Sequence, residues 1–420
     1  MINYSQEKQR VFLVGLHLKS EKIENTLDSL KELTSLAKTL GFRVAGQEIQ
    51  SRSTPDSRSY IGGGKLKEIQ KIAERKKVDI VLFDHELSPN QGKFIESALD
   101  CMVWDRTQVI LEIFANHART PESRDQVELA QLKYMLPRLV GLWAHLDREK
   151  GGISASRGAG EKQINIDRKL IRNKITRLEN SLKKTARERT VQSKNRSSCF
   201  QVGVVGYTNA GKTSLTNGMT GSDLLAQDKL FATLESTTRL LPTETKPDLL
   251  VSDTVGFIRN LPHNLIASFR STLSVVKDAN LLLHVVDASS PNIEQHIDTT
   301  EKVLKEIGAE KVPRLLVLNK IDQVEEDMDR MILLKTYPGS ISVSALDPET
   351  VELLTETVKE HFASSFVREC IILPYDKTEL LSHFYQLTSV EELDYAEDGI
   401  HITHAATLTN KNILDGLLKG

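Results

Sequence analysis

The chain reads as an α/β protein in three parts: an N-terminal α/β domain carrying a projecting helical hairpin, a central phosphate-loop domain, and a small C-terminal α+β domain. Three observations predict this. Short apolar runs alternate with helical periodicity over residues 11–118, the pattern of strands whose crossover helices build a largely parallel sheet. Two long helical patterns come next. Beyond them, Gly206-Tyr-Thr-Asn-Ala-Gly-Lys-Thr213 follows the apolar run Phe200–Val205, so a glycine loop leaves a strand and opens a helix.

In the N-terminal part, strands are predicted at Val11–Leu16, Phe42–Ala45 and Asp79–Phe83, with helices at Ile23–Leu40 and Lys65–Arg75. The loop Tyr60-Ile-Gly-Gly-Gly-Lys65 reads as a turn and helix cap; a second nucleotide site is the alternative. Helical patterns then run over Asp125–Glu149 and Gln163–Arg189. In the second, Ile171, Ile175, Leu178 and Leu182 form one narrow apolar seam suited to an antiparallel partner helix. At ~1.5 Å per residue each arm projects roughly 35–40 Å. The tip is Gly151–Gly160, small and flexible, with Arg157 near its end.

Charge marks this arm. Residues 147–196 hold 15 Lys and Arg against 6 Asp and Glu, in a chain of 420 residues whose net charge is −2. A like-signed surface is often only a solvated face. A basic arm with a glycine tip also suits contact with the phosphates of a folded RNA. The polar stretch Val191–Ser198 reads as a linker, which sets boundaries at 1–118, 119–190, 191–198, 199–362 and 363–420. The last segment, with nine acidic and four basic residues from His361 onward, has candidate strands at Cys370–Pro374 and Gly399–His404 around a helix Lys377–Gln386. Its acidity disfavours RNA. His401 and His404 read as exposed or packed residues rather than a metal pair.

Cys101, Cys199 and Cys370 are far apart with no C-x-x-C pair, which indicates neither a disulfide framework nor a zinc site and fits a reducing cytoplasm. No signal peptide opens the chain and no apolar run reaches eighteen residues. A cytoplasmic monomer without a transmembrane segment is expected. Peripheral membrane association stays open, and no DNA partner is expected.

The chemistry concentrates in the central part. Gly206, Tyr207, Thr208, Asn209, Ala210 and Gly211 supply backbone N–H groups that close on phosphate oxygens; Lys212 spans the β- and γ-phosphates, and the Thr213 hydroxyl holds magnesium. The strand Leu249–Asp253 delivers a carboxylate for the outer magnesium shell and leads through Thr254 and Val255 to Gly256, whose amide suits the γ-phosphate. Phe231, Ala232, Thr233, Leu234 and Glu235 lie where a mobile loop covers the metal. Thr233 is the candidate second hydroxyl ligand, with Thr237 and Thr238 as alternatives. The metal set is thus Thr213, Thr233 and Asp253. A third strand, Arg314–Leu318, ends in Asn319-Lys320-Ile321-Asp322. The Asp322 carboxylate can accept from N1–H and the 2-amino group of guanine, whereas adenine has no donor at either place. Lys320 lays its stem along the base, Asn319 ties this loop to the phosphate loop, and Ser344-Ala345-Leu346 complete the pocket. GTP and GDP with Mg2+ are the expected ligands.

These segments resemble the HflX family of ribosome-associated GTPases, and so does Arg157-Gly-Ala-Gly-Glu161-Lys-Gln163 leading into Ile166-Asp167-Arg168. The resemblance spans most of the chain. Ala159, Lys162, Glu235, Ser236, Thr213 and Ser214 depart from the family pattern; Thr213 keeps the magnesium hydroxyl, whereas Ala159 and Lys162 change stiffness and charge in the contact loop. The resemblance implies a Ras-like GTPase domain that binds the large ribosomal subunit in its GTP form and splits stalled or idle ribosomes, with hydrolysis coupled to release. It also implies that the basic arm probes rRNA. A ribosome-assembly GTPase, and a switch acting on a protein partner, are the competing readings. Lys212, Gly256 and Asn209 are the candidate catalytic residues. Asn209 resembles an Asn that holds a potassium ion in related GTPases; the other reading is that it only tolerates a left-handed backbone. Phe257 occupies the place where many GTPases carry a water-orienting Gln, so hydrolysis is expected to be slow until a partner such as the ribosome supplies the missing part.

Overall fold

The structure, a computed structural model, describes residues 9–139, 157–194, 199–222, 230–243, 246–260 and 273–419. It forms two compact units, Met1–Lys184 with 229–231 and 260–269, and Thr185–Asp228 with 232–259 and 270–420.

The first unit contains β1 (Arg10–Leu18), α1 (Ile23–Thr39), β2 (Arg43–Arg52), α2 (Gly63–Lys76), β3 (Ile80–Phe83), α3 (Pro89–Leu99), β4 (Met102–Asp105), α4 (Arg106–His117), α5 (Pro121–Met135) and most of α6 (Arg157–Lys194). The sheet is parallel throughout, in the order β2-β1-β3-β4. β1 and β3 are apolar on both faces because helices cover both. Phe12, Val14, Ile69, Val81, Phe83 and Ile95 are core members. The sequence reading lacks β4: four residues beginning with exposed Met102 carry too little pattern. α5 starts where Thr120 accepts from the Ser123 amide and Pro121 occupies the first turn, a pairing that satisfies one open N–H and wastes none.

α6 corrects two sequence expectations. Arg157–Gly160, read as part of the tip, are helical, and so are Val191–Lys194, read as linker. The helix contains no proline, and its Lys, Arg, Glu, Gln and Leu residues are strong helix formers that tolerate two glycines near one end. The first arm, expected over Asp125–Glu149, is helical over Pro121–Met135 and turns at 136–138; residues 140–156, with the rest of that arm and of the tip, lie outside the described residues. The expected seam is present: Leu178 is buried and Ile171, Ile175 and Leu182 are half-buried. Lys133 pairs with Glu179 at 2.8 Å, Lys174 pairs with Glu128, and Ser181 donates to Asp125 at 3.2 Å.

The second unit contains β5 (Phe200–Gly206), α7 (Lys212–Thr220), β6 (Thr237–Leu241), β7 (Leu249–Asp253), α8 (Ser274–Lys277), β8 (Leu281–Asp287), α9 (Ile293–Ile307), β9 (Arg314–Asn319), α10 (Asp327–Thr336), β10 (Ile341–Ser342) and α11 (Pro348–Ser364). The sheet order is β10-β9-β8-β5-β7-β6, parallel except for β6. β8, absent from the sequence reading because it bears no motif, lies between β5 and β9 in the centre. Val202, Val204, Leu283, Val285 and Val317 form the core under α7 and α11. β5, β7 and β9 all point their carboxyl ends to one edge, where open α/β sheets bind ligands.

After α11 come β11 (Phe366–Leu373), α12 (Leu381–Leu387), β12 (Ser389–Ala396), β13 (Gly399–Thr407) and α13 (Leu408–Lys419), an antiparallel sheet in the order β11-β13-β12. β12 escaped the sequence reading because Glu391, Glu392 and Asp394 dilute its apolar side. His401 and His404 sit on opposite faces of β13: His401 bonds Asp398 at 2.9 Å, and His404 is buried edge-on to Phe384. Among the described residues there is no grouping of His, Cys, Asp and Glu able to hold a metal ion, and no helix is long and apolar enough to cross a membrane. The three cysteines are free.

Candidate nucleotide site

The phosphate loop is made by crowding. Gly206 has φ +152°, and a Cβ there would lie 2.1 Å from the Val285 carbonyl oxygen on β8. Gly211, at φ +89°, would put a Cβ 2.1 Å from Asn319 Nδ2. Only glycine lets the loop turn this closely against β8 and the end of β9. Between them, the Thr208 amide donates to Phe257 O at 2.7 Å and the Phe257 amide donates to Gly206 O at 3.0 Å, joining the loop to the segment after β7. Tyr207 is buried; its ring stacks on His296 at 3.9 Å and its hydroxyl accepts from the Arg259 amide at 2.9 Å. Burial, reinforced by Arg259, pushes that imidazole down to about 4, so it is neutral near pH 7. Asn209 is exposed at φ 61°.

Lys212 begins α7 and is 6% exposed. Its ammonium donates to Tyr207 O at 2.8 Å and Gly206 O at 3.3 Å. Burial lowers its pKa to about 8, against the opposing pull of Asp253. Thr213 donates to Asp253 Oδ2 at 2.7 Å and lies 2.8 Å, oxygen to oxygen, from Thr233. All three expected metal-site residues therefore meet. Thr237 and Thr238 are instead strand residues of β6, the latter sharing a hydrogen bond of 2.9 Å with Ser252. Burial raises the Asp253 carboxyl, opposed chiefly by Lys212. Its Oδ1 is buried with no hydrogen-bond partner among the described residues. An orphaned carboxylate oxygen beside two hydroxyls is an all-oxygen donor set, which fits magnesium.

Beyond β7, Thr254 donates to Val204 O at 2.6 Å and Val255 is buried. A Cβ on Gly256 would lie 2.7 Å from Thr208 Cα and 2.9 Å from Lys212 Nζ, so the glycine lets this backbone run against the phosphate loop. Phe257 is 2% exposed, an apolar ring inside the protein. Leu234 is buried, and Ala232 and Glu235 are half-buried. Phe231 belongs to the first unit, where it packs edge-on against Phe114 at 4.7 Å.

Asn319 is fully buried and tethers two loops: Nδ2 donates to Ala210 O at 2.7 Å and Oδ1 accepts from the Ala345 amide at 3.1 Å. The Ile321 amide donates to Val343 O at 3.2 Å, Ser344 Oγ accepts from the Leu346 amide at 3.3 Å, and Asp322 and Leu346 are exposed. Lys320, at φ 60°, pairs with Asp287 at 2.8 Å. Asp287 also accepts from the Ser289 amide and hydroxyl at 3.0 and 2.6 Å. Sequence reasoning missed it, although a carboxylate ending the apolar run Leu281–Val286 was a usable signal.

Four family models match in order along the chain: "GTP-binding GTPase N-terminal" over 27–115, "GTP-binding GTPase Middle Region" over 117–196, "50S ribosome-binding GTPase" over 201–320 and "HflX C-terminal domain" over 333–415. GTPase HflX of Caldanaerobacter subterraneus subsp. tengcongensis is 40% identical over 416 residues, covering 99% of this chain and 95% of that one. GTPase HflX of Escherichia coli K12 is 38% identical over 398 residues, covering 93% and 92%. A GTP-binding protein of Sulfolobus solfataricus, solved with GDP, aligns with 84% of this chain and 98% of its own at 24% identity and a TM-score of 0.43. With the phosphate loop, the Asn319 tether and the Thr213–Thr233–Asp253 cluster in place, and 40% identity across nearly its full length, the chain belongs to the HflX family of GTPases.

Proposed function

We propose that this GTP hydrolase binds the large ribosomal subunit in its GTP form, separates stalled or idle ribosomes, and leaves on hydrolysis. One observation carries the reading: a complete phosphate loop and the Thr213–Thr233–Asp253 cluster share a chain with a segment of fifteen basic and six acidic residues at 147–196, most of it on α6. Lys212 holds the β- and γ-phosphates, Gly256 brings its amide to the γ-phosphate, and Asp322 reads the guanine edge. Magnesium held by Thr213, Thr233 and Asp253 would supply charge neutralisation at the phosphates. Asn209, exposed at the fourth place of the loop, is the candidate ligand of a potassium ion; equal turnover in sodium and potassium buffers removes that role.

Because Phe257 is a buried ring, the free protein has no polar group there to orient water, and hydrolysis alone is slow. A ribosome supplies the missing part, worth roughly three to five powers of ten when an activator does so. The basic arm meets rRNA through its phosphates, so subunit binding weakens steeply with salt.

The test is a density gradient of ribosomes with the protein and a non-hydrolysable GTP analogue, GDP or no nucleotide, with turnover recorded in the same mixtures. Co-migration with the large subunit, loss of intact ribosomes and stimulated turnover are expected. Binding to precursor subunits without splitting favours the assembly reading, and no binding in any state leaves a switch for a protein partner.

A further inference from the structure

α10 leaves the guanine-side loop and turns an unusual face outward. None of its ten residues is buried. Met328, Met331, Ile332 and Leu334 are 70%, 71%, 53% and 46% exposed, and at 100° per residue they share one arc with Lys335 between them. The opposite side of the helix holds it to the unit: Leu333 and Tyr337 pack on the small cluster of Ala288, Leu318 and Val324, and Arg330 donates to Val324 O at 2.9 Å. So the outward arc is not needed to anchor the helix. Two adjacent exposed methionines flanked by Ile and Leu form a pliable apolar surface, which re-packs to fit a partner rather than a small ligand.

The charge around this arc chooses the partner. Glu325, Glu326, Asp327 and Asp329 ring its start, the Asp327 side chain 93% exposed. At its far end, Glu294 and Asp298 of α9 act on Tyr337. On α10 itself the opposing charges are Arg330, paired with Asp327 at 3.5 Å, and Lys335. A polyanion is repelled here, in contrast to the basic segment 147–196.

We infer that the Met328–Met331–Ile332 face of α10, with its acidic rim, is a docking surface for a cationic amphipathic segment of a protein partner. The partner inserts an apolar ridge among the methionines and pairs its Lys or Arg side chains with the rim. Complementary rim charge speeds encounter and sets orientation, while the apolar centre holds the complex. Because α10 begins five residues after Asp322 and its inner face packs on Val324, occupancy lies next to the base-reading loop. The contact does not depend on the arm or on ribosome splitting.

The experiment places a photo-crosslinking amino acid at position 331 of the full-length protein in cells, with position 360, an exposed site on α11, as control. Adducts are digested and the attached segment is sequenced. An adduct with a protein segment carrying excess Lys and Arg is expected, falling by about tenfold or more when Glu325, Glu326 and Asp327 are all changed to Lys. GTP turnover of that triple variant without a partner is expected to match the parent, which shows that it is folded. Adducts to RNA, to a second copy of this chain or to a neutral or acidic segment overturn the inference. So does a yield at 331 no higher than at 360, or one indifferent to the charge reversals.

Discussion

Two glycine loops each precede a helix that flanks a parallel sheet, and they differ in what surrounds them. At Gly62-Gly63-Gly64-Lys65, added Cβ atoms on Gly63 and Gly64 meet nothing within 4 Å. Lys65, half-buried, turns away from its loop to pair with the Glu48 and Glu68 carboxylates at 2.6 and 3.1 Å. At Gly206–Lys212 the glycines are pressed against Val285 and Asn319, two carry positive φ, and the lysine is buried among its own loop carbonyls. Each loop has an amide-bearing tether, Gln50 accepting from the Gly62 amide at 2.6 Å in one and Asn319 in the other. One is a helix cap and the other a cradle. The difference teaches that glycine count does not make a phosphate site; inward crowding by neighbouring strands does, because it forces successive N–H groups to converge.

Substitutions at matched positions test that contrast. Gly206→Ala combines a forbidden φ with a backbone clash, costing about 4 kcal/mol in the bound geometry. The expected loss of GTP affinity is about a thousandfold by fluorescent-nucleotide titration, whereas Gly63→Ala leaves it unchanged. Lys212→Ala removes a preorganised cation and lowers kcat/KM about a hundredfold. Lys65→Ala breaks only the pairs with Glu48 and Glu68 and shifts stability by about 1 kcal/mol in a denaturant titration, with turnover unchanged. Equal effects of the two lysine changes on turnover would make the N-terminal loop a nucleotide site after all.

Asn319→Ala strands the Ala345 amide and frees Ala210 O, at about 1–3 kcal/mol. GTP affinity falls by about tenfold to a hundredfold, while Gln50→Ala changes only thermal stability. The smallest effect concerns the metal. Thr233→Ala raises the magnesium concentration needed for half-maximal turnover by about tenfold or less, and Thr237→Ala does not. A reversed order would move the hydroxyl ligand onto β6.

The site was largely legible because its groups come in contiguous pieces. Gly206–Thr213, Asp253–Gly256 and Asn319–Asp322 each announce their chemistry within a few residues, and each sits just after an apolar run. What escaped was of another kind. β8 carries no motif, yet it provides the Val285 carbonyl that crowds Gly206 and the Asp287 carboxylate that holds Lys320. β4 and β12 were too short or too acidic to show a periodicity. The full extent of α6 is not legible locally, because Gly158, Gly160 and the polar stretch Val191–Lys194 look like helix ends while the helix-forming side chains around them sustain it.

By itself, the sequence determined the class of sheet, the phosphate loop, the Asn319–Asp322 motif that ends its third strand and the basic character of residues 147–196. These follow from short-range order: strand period, glycine spacing and local charge lie in adjacent residues. Only the tertiary structure decided that Thr233 rather than Thr237 or Thr238 reaches Thr213, that Asp287 rather than solvent holds Lys320, and that Gly206 and Gly211 are crowded while Gly63 and Gly64 stand open. Those outcomes depend on which strands lie side by side. The order β9-β8-β5-β7 brings together residues more than a hundred positions apart, and no local pattern records that proximity.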